Sequence, residues 1–225
     1  GYYSYNTASV AKYNIDGKDQ LVYVSPREIV SSGRTYTNKT YEYTHGMGQI
    51  VTSATTTTED GNIEYIQKEV SGEDDKLNTS EQRIYFGLET NEIIATNTKN
   101  TQEYDYTDEA GNEYTSTYEG KAGLDLNFID RLILGITKGD LKLAFTGEMT
   151  DESKILINRN IIERAKKAMP YLWYDENPYT VVTDEGKIVW VLDAYTVSSS
   201  YPYSQYMKVQ YLSLIHIWRC RRLNR

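Results

Sequence analysis

His45 is the residue best suited by type to proton transfer here, because imidazole alone among unperturbed side chains titrates near neutrality. It stands in Tyr43-Thr44-His45-Gly46-Met47-Gly48, where the glycines permit tight turns and close approach of neighbouring backbone. A lone histidine in such a turn also serves as a structural hydrogen-bonding residue, so both roles stand side by side. Carboxylates are the second resource. Two acids about 5 to 10 Å apart cleave glycosidic bonds, and Glu28, Asp175 and Asp193 are the candidates, with Arg159 and Arg164 as their obvious cationic partners. Structural ion pairing is the plainer account of that set. The assignment carried forward is His45, Glu28 and Asp193 for catalysis, and Arg159, Arg164 and Asp175 for binding.

Other chemistries fail on residue type or spacing. Outside the C-terminal stretch His45 is the only histidine, and Cys220 is the only cysteine of the chain. A zinc site would therefore have to be rich in carboxylates, which is uncommon, and no metal or cofactor is expected. Glu119-Gly120-Lys121-Ala122-Gly123 superficially resembles a phosphate loop but lacks the hydroxyl residue after Gly-Lys that would reach magnesium. Asp108-Glu109-Ala110-Gly111-Asn112-Glu113 offers oxygen donors without the alternation that wraps calcium, and reads as a hairpin tip. No Gly-x-Ser-x-Gly elbow presents a serine nucleophile.

The elements that would position these residues read as an α+β arrangement, mostly antiparallel sheet with two segregated helices. Gln20-Leu21-Val22-Tyr23-Val24 is a strand ended by Pro26, and Gly48 to Ala54 pairs with Asn62 to Ile66 across the Asp60-Gly61 turn. Strands are predicted at Arg83 to Phe86, Glu92 to Asn97 and Glu103 to Tyr106, the last paired with Tyr114 to Tyr118. Helical spacing of apolar residues predicts one helix over Leu126 to Thr137 and a second over Asp151 to Ala168, capped by Thr150 and stopped by Pro170. A closing hairpin joins Thr180 to Thr183 with Lys187 to Leu192 through Asp184-Glu185-Gly186.

Charge narrows the partners. The chain carries 24 basic and 32 acidic residues, a net charge of −8. Four of the arginines lie in residues 212–225, whose Leu212-Ser213-Leu214-Ile215-His216-Ile217-Trp218-Arg219-Cys220-Arg221-Arg222 run looks like translated sequencing adapter. The expected organisation is thus 1–211 as native domain and 212–225 as a non-native tail. Without that tail the balance is 20 against 32, or −12, which repels phosphate backbones and argues against nucleic acid as a partner. The 22 tyrosines suit half-exposed sheets and broad contact surfaces. No apolar run is long enough to span a bilayer.

Several ordered segments together resemble the uncharacterised protein family 0182 of large bacterial membrane proteins. They include Tyr13-Asn14-Ile15-Asp16-Gly17, Arg27-Glu28-Ile29, Tyr43-Thr44-His45-Gly46, Arg83-Ile84-Tyr85-Phe86-Gly87, Glu103-Tyr104-Asp105-Tyr106, Ser153-Lys154-Ile155-Leu156 with Arg159 and Arg164, Pro170-Tyr171-Leu172, Asp193-Ala194-Tyr195-Thr196 and Tyr201-Pro202-Tyr203-Ser204. The resemblance covers about residues 13–204. It implies an incomplete extracytoplasmic domain of an integral membrane protein of the bacterial cell membrane, preceded by transmembrane helices. It also implies that apolar residues whose natural neighbours are missing stand exposed. The family brings no activity to carry over. The expected role is binding of an envelope component or a membrane-protein partner; the alternative is a hydrolase or transferase of cell-envelope polymers built on His45 with Glu28 or Asp193.

Overall fold

The computed structural model describes residues 3–5 and 7–196. Its organising element is a four-stranded antiparallel sheet whose order is Ser9–Ile15, Lys18–Pro26, Gln49–Thr57 and Ile63–Gln67. The first pair turns at Asp16 and Gly17, both in left-handed conformation with φ of 50° and 81°, which matches the twist of a two-residue hairpin. The Asp60-Gly61 hairpin forms as the sequence predicts. Side chains alternate across this sheet: Ile15, Val22, Val24 and Val51 bury on one face with Leu77 and Val182.

The closing hairpin, Tyr179–Val182 with Ile188–Val191, covers that face, and the Val182 amide donates to the Tyr13 hydroxyl at 3.0 Å. Five further two-stranded antiparallel pairs complete the β-structure of the described residues. Three bear on the site: Gly46–Met47 with Arg83–Ile84, Ile94–Thr96 with Lys154–Leu156, and Glu103–Thr107 with Glu113–Ser116. The other two join Tyr3–Ser4 to Glu28–Ile29 and Leu172–Tyr174 to Ala194–Thr196. The α+β class, mostly antiparallel with few helices, is what the chain adopts.

Helix α1 spans Phe128–Lys138, starting at Asn127, whose side chain accepts the Asp130 amide, and ending at left-handed Gly139. A single turn, α2, follows at Lys142–Phe145, and α3 spans Ile161–Ala168. The expected helix from Asp151 is thus corrected to less than half its length. Ile155 and Leu156 are each 1% exposed and pair as a strand with Ile94–Thr96, Asn158 takes φ of 51°, and Asn160 supplies the cap by accepting the Glu163 amide at 3.0 Å. Thr150 instead donates its hydroxyl to the Asn97 carbonyl at 3.0 Å. No helix among the described residues is long and apolar enough to cross a membrane. The 212–225 tail and the Tyr201–Ser204 segment lie outside the described residues.

Candidate functional site

Residues 43–48 run through the interior of the molecule. Gly46 sits so close to the backbone between two strands that an added Cβ would lie 1.8 Å from the Arg27 carbonyl oxygen, so only glycine fits there. That contact seats His45, which is 0% exposed, against the Glu103–Thr107 strand. Its Nε2 lies 2.8 Å from Asp105 Oδ1 and its Nδ1 lies 3.0 Å from Thr44 Oγ1. Thr44 has one hydroxyl proton, and donates it to Glu103 Oε2 at 2.5 Å. Toward His45 the hydroxyl must therefore accept, so Nδ1 carries a proton; Nε2 carries one too, because it faces a carboxylate.

This pattern fits His45 as an imidazolium. Burial pulls its pKa down, but the hydrogen bonds and charges of Asp105 and Glu103 outweigh that and hold it above the ordinary 6.5. Burial in turn pushes Asp105 up, but hydrogen bonds from His45, Arg83 and Ser116 bring it to about 2. Arg83 reaches Asp105 Oδ2 at 3.1 Å, and the Ser116 hydroxyl donates to Oδ1 at 2.6 Å. Glu103 also accepts the Tyr85 hydroxyl at 2.9 Å, and burial beside that carboxylate drives the Tyr85 pKa far up. With both nitrogens donating, His45 has no lone pair for general-base work as it stands.

Arg159 is 1% exposed and clamps two segments of this cluster, its Nε donating to the Tyr85 carbonyl at 2.7 Å and its Nη2 to the Thr44 carbonyl. Burial lowers its pKa to about 10, against the charges of Glu92, Tyr85, Glu103 and Glu28, so it stays a cation. Glu28 anchors a loop: its carboxylate accepts the Leu88 and Glu89 amides at 2.9 Å each and the Thr90 hydroxyl at 3.0 Å. Gly87 is tight against it, since a Cβ there would meet Glu28 Oε2 at 2.0 Å.

Asp175 and Asp193 meet elsewhere, where the Asp175 amide donates to the Asp193 carbonyl at 2.9 Å. The Asp175 carboxylate turns back on Asn177, and Asp193 is exposed. Arg164 lies on the open side of α3, its guanidinium 4.9 Å from the Phe86 ring centre. Of the six predicted residues, then, Arg159 bonds the same Thr44 and Tyr85 that frame His45, while Glu28, Asp193, Asp175 and Arg164 make no bond to that imidazole. The partners that sequence reasoning missed are Glu103 and Asp105. Their spacing by two on a strand was the available signal, because such residues share a face.

The open polar site lies on another side. A cleft of about 360 Å³ is walled by the Asn38–Glu42 π-helical turn, residues 91–93, the end of α1, residues 157–158 and α3. Tyr36, Ile93 and Ile157 give it apolar surface, and Lys39, Lys138, Lys167, Glu92, Asp140 and Glu163 give it charge of both signs. Tyr36 donates to Asp140, with both carboxylate oxygens at 3.0 Å, and Asn91 donates to Glu163 at 3.0 Å. Lys167 reaches Asn158 at 2.5 Å, whereas Lys39 and Lys138 have neither an ion pair nor a side-chain hydrogen bond among the described residues. Among those residues no group of three His, Cys, Asp or Glu side chains is arranged to hold a metal.

Comparison with known proteins bears on the chain as a whole. The family model described as "Uncharacterised protein family (UPF0182)" matches residues 1–216. A UPF0182 protein of Clostridium novyi is 39% identical over 91% of this chain and 23% of its own length. UPF0182 proteins of Clostridium botulinum and Clostridium tetani are 38% and 39% identical over 94% of this chain and 24% of theirs. The chain therefore spans about a quarter of the length of the curated relatives it matches. No solved structure matches.

Proposed function

The chain belongs to the uncharacterised protein family UPF0182, and from that premise we propose that this segment is a non-catalytic, extracytoplasmic binding part of a bacterial membrane protein, taking a neutral, hydroxyl-rich envelope component such as a glycan unit. The observation that carries the reading is the contrast between two polar sites. The His45 cluster is sealed and its donors and acceptors are spent on each other, whereas the cleft beside Tyr36 is open and keeps unspent ammonium groups at Lys39 and Lys138. Three lysines balance three carboxylates there, so the cleft attracts no net charge. Hydroxyls are suited to it because each can accept from a lysine and donate to a carboxylate, while Tyr36, Ile93 and Ile157 meet the apolar faces of a ring. An acidic chain of net charge −8 disfavours an anionic polymer in the same place.

Two measurements test this. Titration of the full-length protein with maltotriose and with a neutral N-acetylglucosamine trimer, followed by calorimetry, is expected to show saturable binding to at least one. The double variant Lys39→Met with Glu163→Gln should weaken it about tenfold or more. Absence of saturable binding to both, or binding the variant leaves unchanged, defeats the ligand assignment. For sidedness, Glu59→Cys in the exposed turn at residues 58–62 should react with a membrane-impermeant maleimide in intact cells, above the parent protein. Reaction only after lysis places the segment on the other side.

A further inference from the structure

Helix α1 has two sides that differ in cover. One, through Leu134 and neighbouring Leu126, packs on the cluster around Tyr41, Ala95, Leu143 and Ile155. The other looks outward: Ile129 is 65% exposed, Ile133 55%, Ile136 64% and Phe128 49%. Phe145 of α2, 69% exposed, extends the patch by an edge-to-face contact with Phe128 at 6.0 Å, and Leu141 borders it. Apolar side chains clustered in this way on consecutive turns differ from the isolated ones that every surface carries, and mark a contact site. The capped ends of α1 show that the helix is a defined element, so the outward face is presented by design of the sequence and not by fraying.

We infer that the outward face of α1 and α2 is a packing surface for another region of the same polypeptide, outside the residues described. Relatives of this chain are about four times its length, so the family's polypeptide has ample chain to cover it. The helix is held to the fold through Leu134 and Gly135, so its main apolar stripe is left for a second layer. Charge gives an anionic lipid surface no advantage as the occupant, since the chain carries a net charge of −8 and around the patch Arg131, Lys138 and Lys142 are offset by Asp125, Asp130 and Asp140.

The test uses the full-length protein with p-benzoylphenylalanine in place of Ile133. Irradiation is expected to give a cross-link at monomer mass, joining the α1 peptide to a peptide of the same polypeptide beyond this segment. Cross-linking to a second copy, to lipid or to a different protein overturns the inference. Ile133→Cys gives an independent readout: its reaction with a small maleimide in the full-length protein should be about tenfold slower or more than that of exposed Glu176→Cys, as closed packing protects it. Equal rates overturn the inference whatever the yield of the cross-link.

Discussion

At the scale of single residues, the hydrogen-bond pattern around His45 and its raised pKa both fit an imidazolium, and pH dependence follows. The folded-state pKa of His45 is raised, so its contribution to stability is complete below the unfolded value near 6.5 and is lost as pH climbs through the raised value. Asp105 is depressed to about 2, so its contribution is complete above the ordinary 3.8 and is lost as pH falls toward 2. That acid limb is worth about 2 kcal/mol. Urea midpoints should therefore form a plateau between about pH 4 and pH 6.5 and decline on both sides; a profile still rising above neutrality would contradict the imidazolium. Nitrogen NMR gives a direct check, in which both ring nitrogens of His45 should remain protonated at neutral pH. His45→Asn leaves two buried carboxylates short of a cation and should cost about 3 to 5 kcal/mol in chemical denaturation. In the sequence, His45 was conspicuous by type, whereas Glu103 and Asp105, the carboxylates that meet it, were not. Which carboxylate meets a histidine depends on strands sixty residues apart in the chain, and residue type carries no record of that pairing.

At the scale of elements, close approach explains more than propensity does. Gly46→Ala would push a methyl into the Arg27 carbonyl, where backbone must move, and should cost about 3 kcal/mol or more together with loss of the Gly46–Met47 pairing. Thermal denaturation measures the first, and amide exchange at Ile84 the second. Asn160→Ala should cost about 1 kcal/mol by removing the cap of α3, whereas Thr150→Ala should leave helix content unchanged by circular dichroism, because Thr150 caps nothing. The hairpins were legible because Asp-Gly pairs, glycine at positive φ and alternating apolar residues are all local signals. The second helix was only half legible. Ile155 fits the helical spacing of Ile162 and Ala165, but burial against Ile94–Thr96 and the left-handed turn at Asn158 decide for a strand, and both decisions are tertiary.

At the scale of the whole molecule, two features stand out beside the ordinary apolar clusters: a charged cluster fills part of the interior, and aliphatic side chains line the outside of α1. The cleft was not legible at all, since its lining comes from five separated segments and no two of its lysines are close in sequence. The apolar face was legible as a helical pattern over residues 126–137, but the pattern could not say which of its residues would find partners. This chain produced on its own should therefore self-associate through Phe128, Ile129, Ile133, Ile136 and Phe145, giving sedimentation that depends on concentration. Ile129→Lys with Ile136→Glu should bring it toward a monomer. Because those side chains touch little in the segment itself, the same changes should move its urea stability by no more than about 0.5 kcal/mol. In the full-length protein the identical pair should lower stability and expose α1 to proteolysis, because two charges would then be driven into a dry contact. A pair of substitutions that is harmless in the segment and damaging in the whole locates the missing half of the interface. Equal effects in both would mean that the outward face of α1 is ordinary surface.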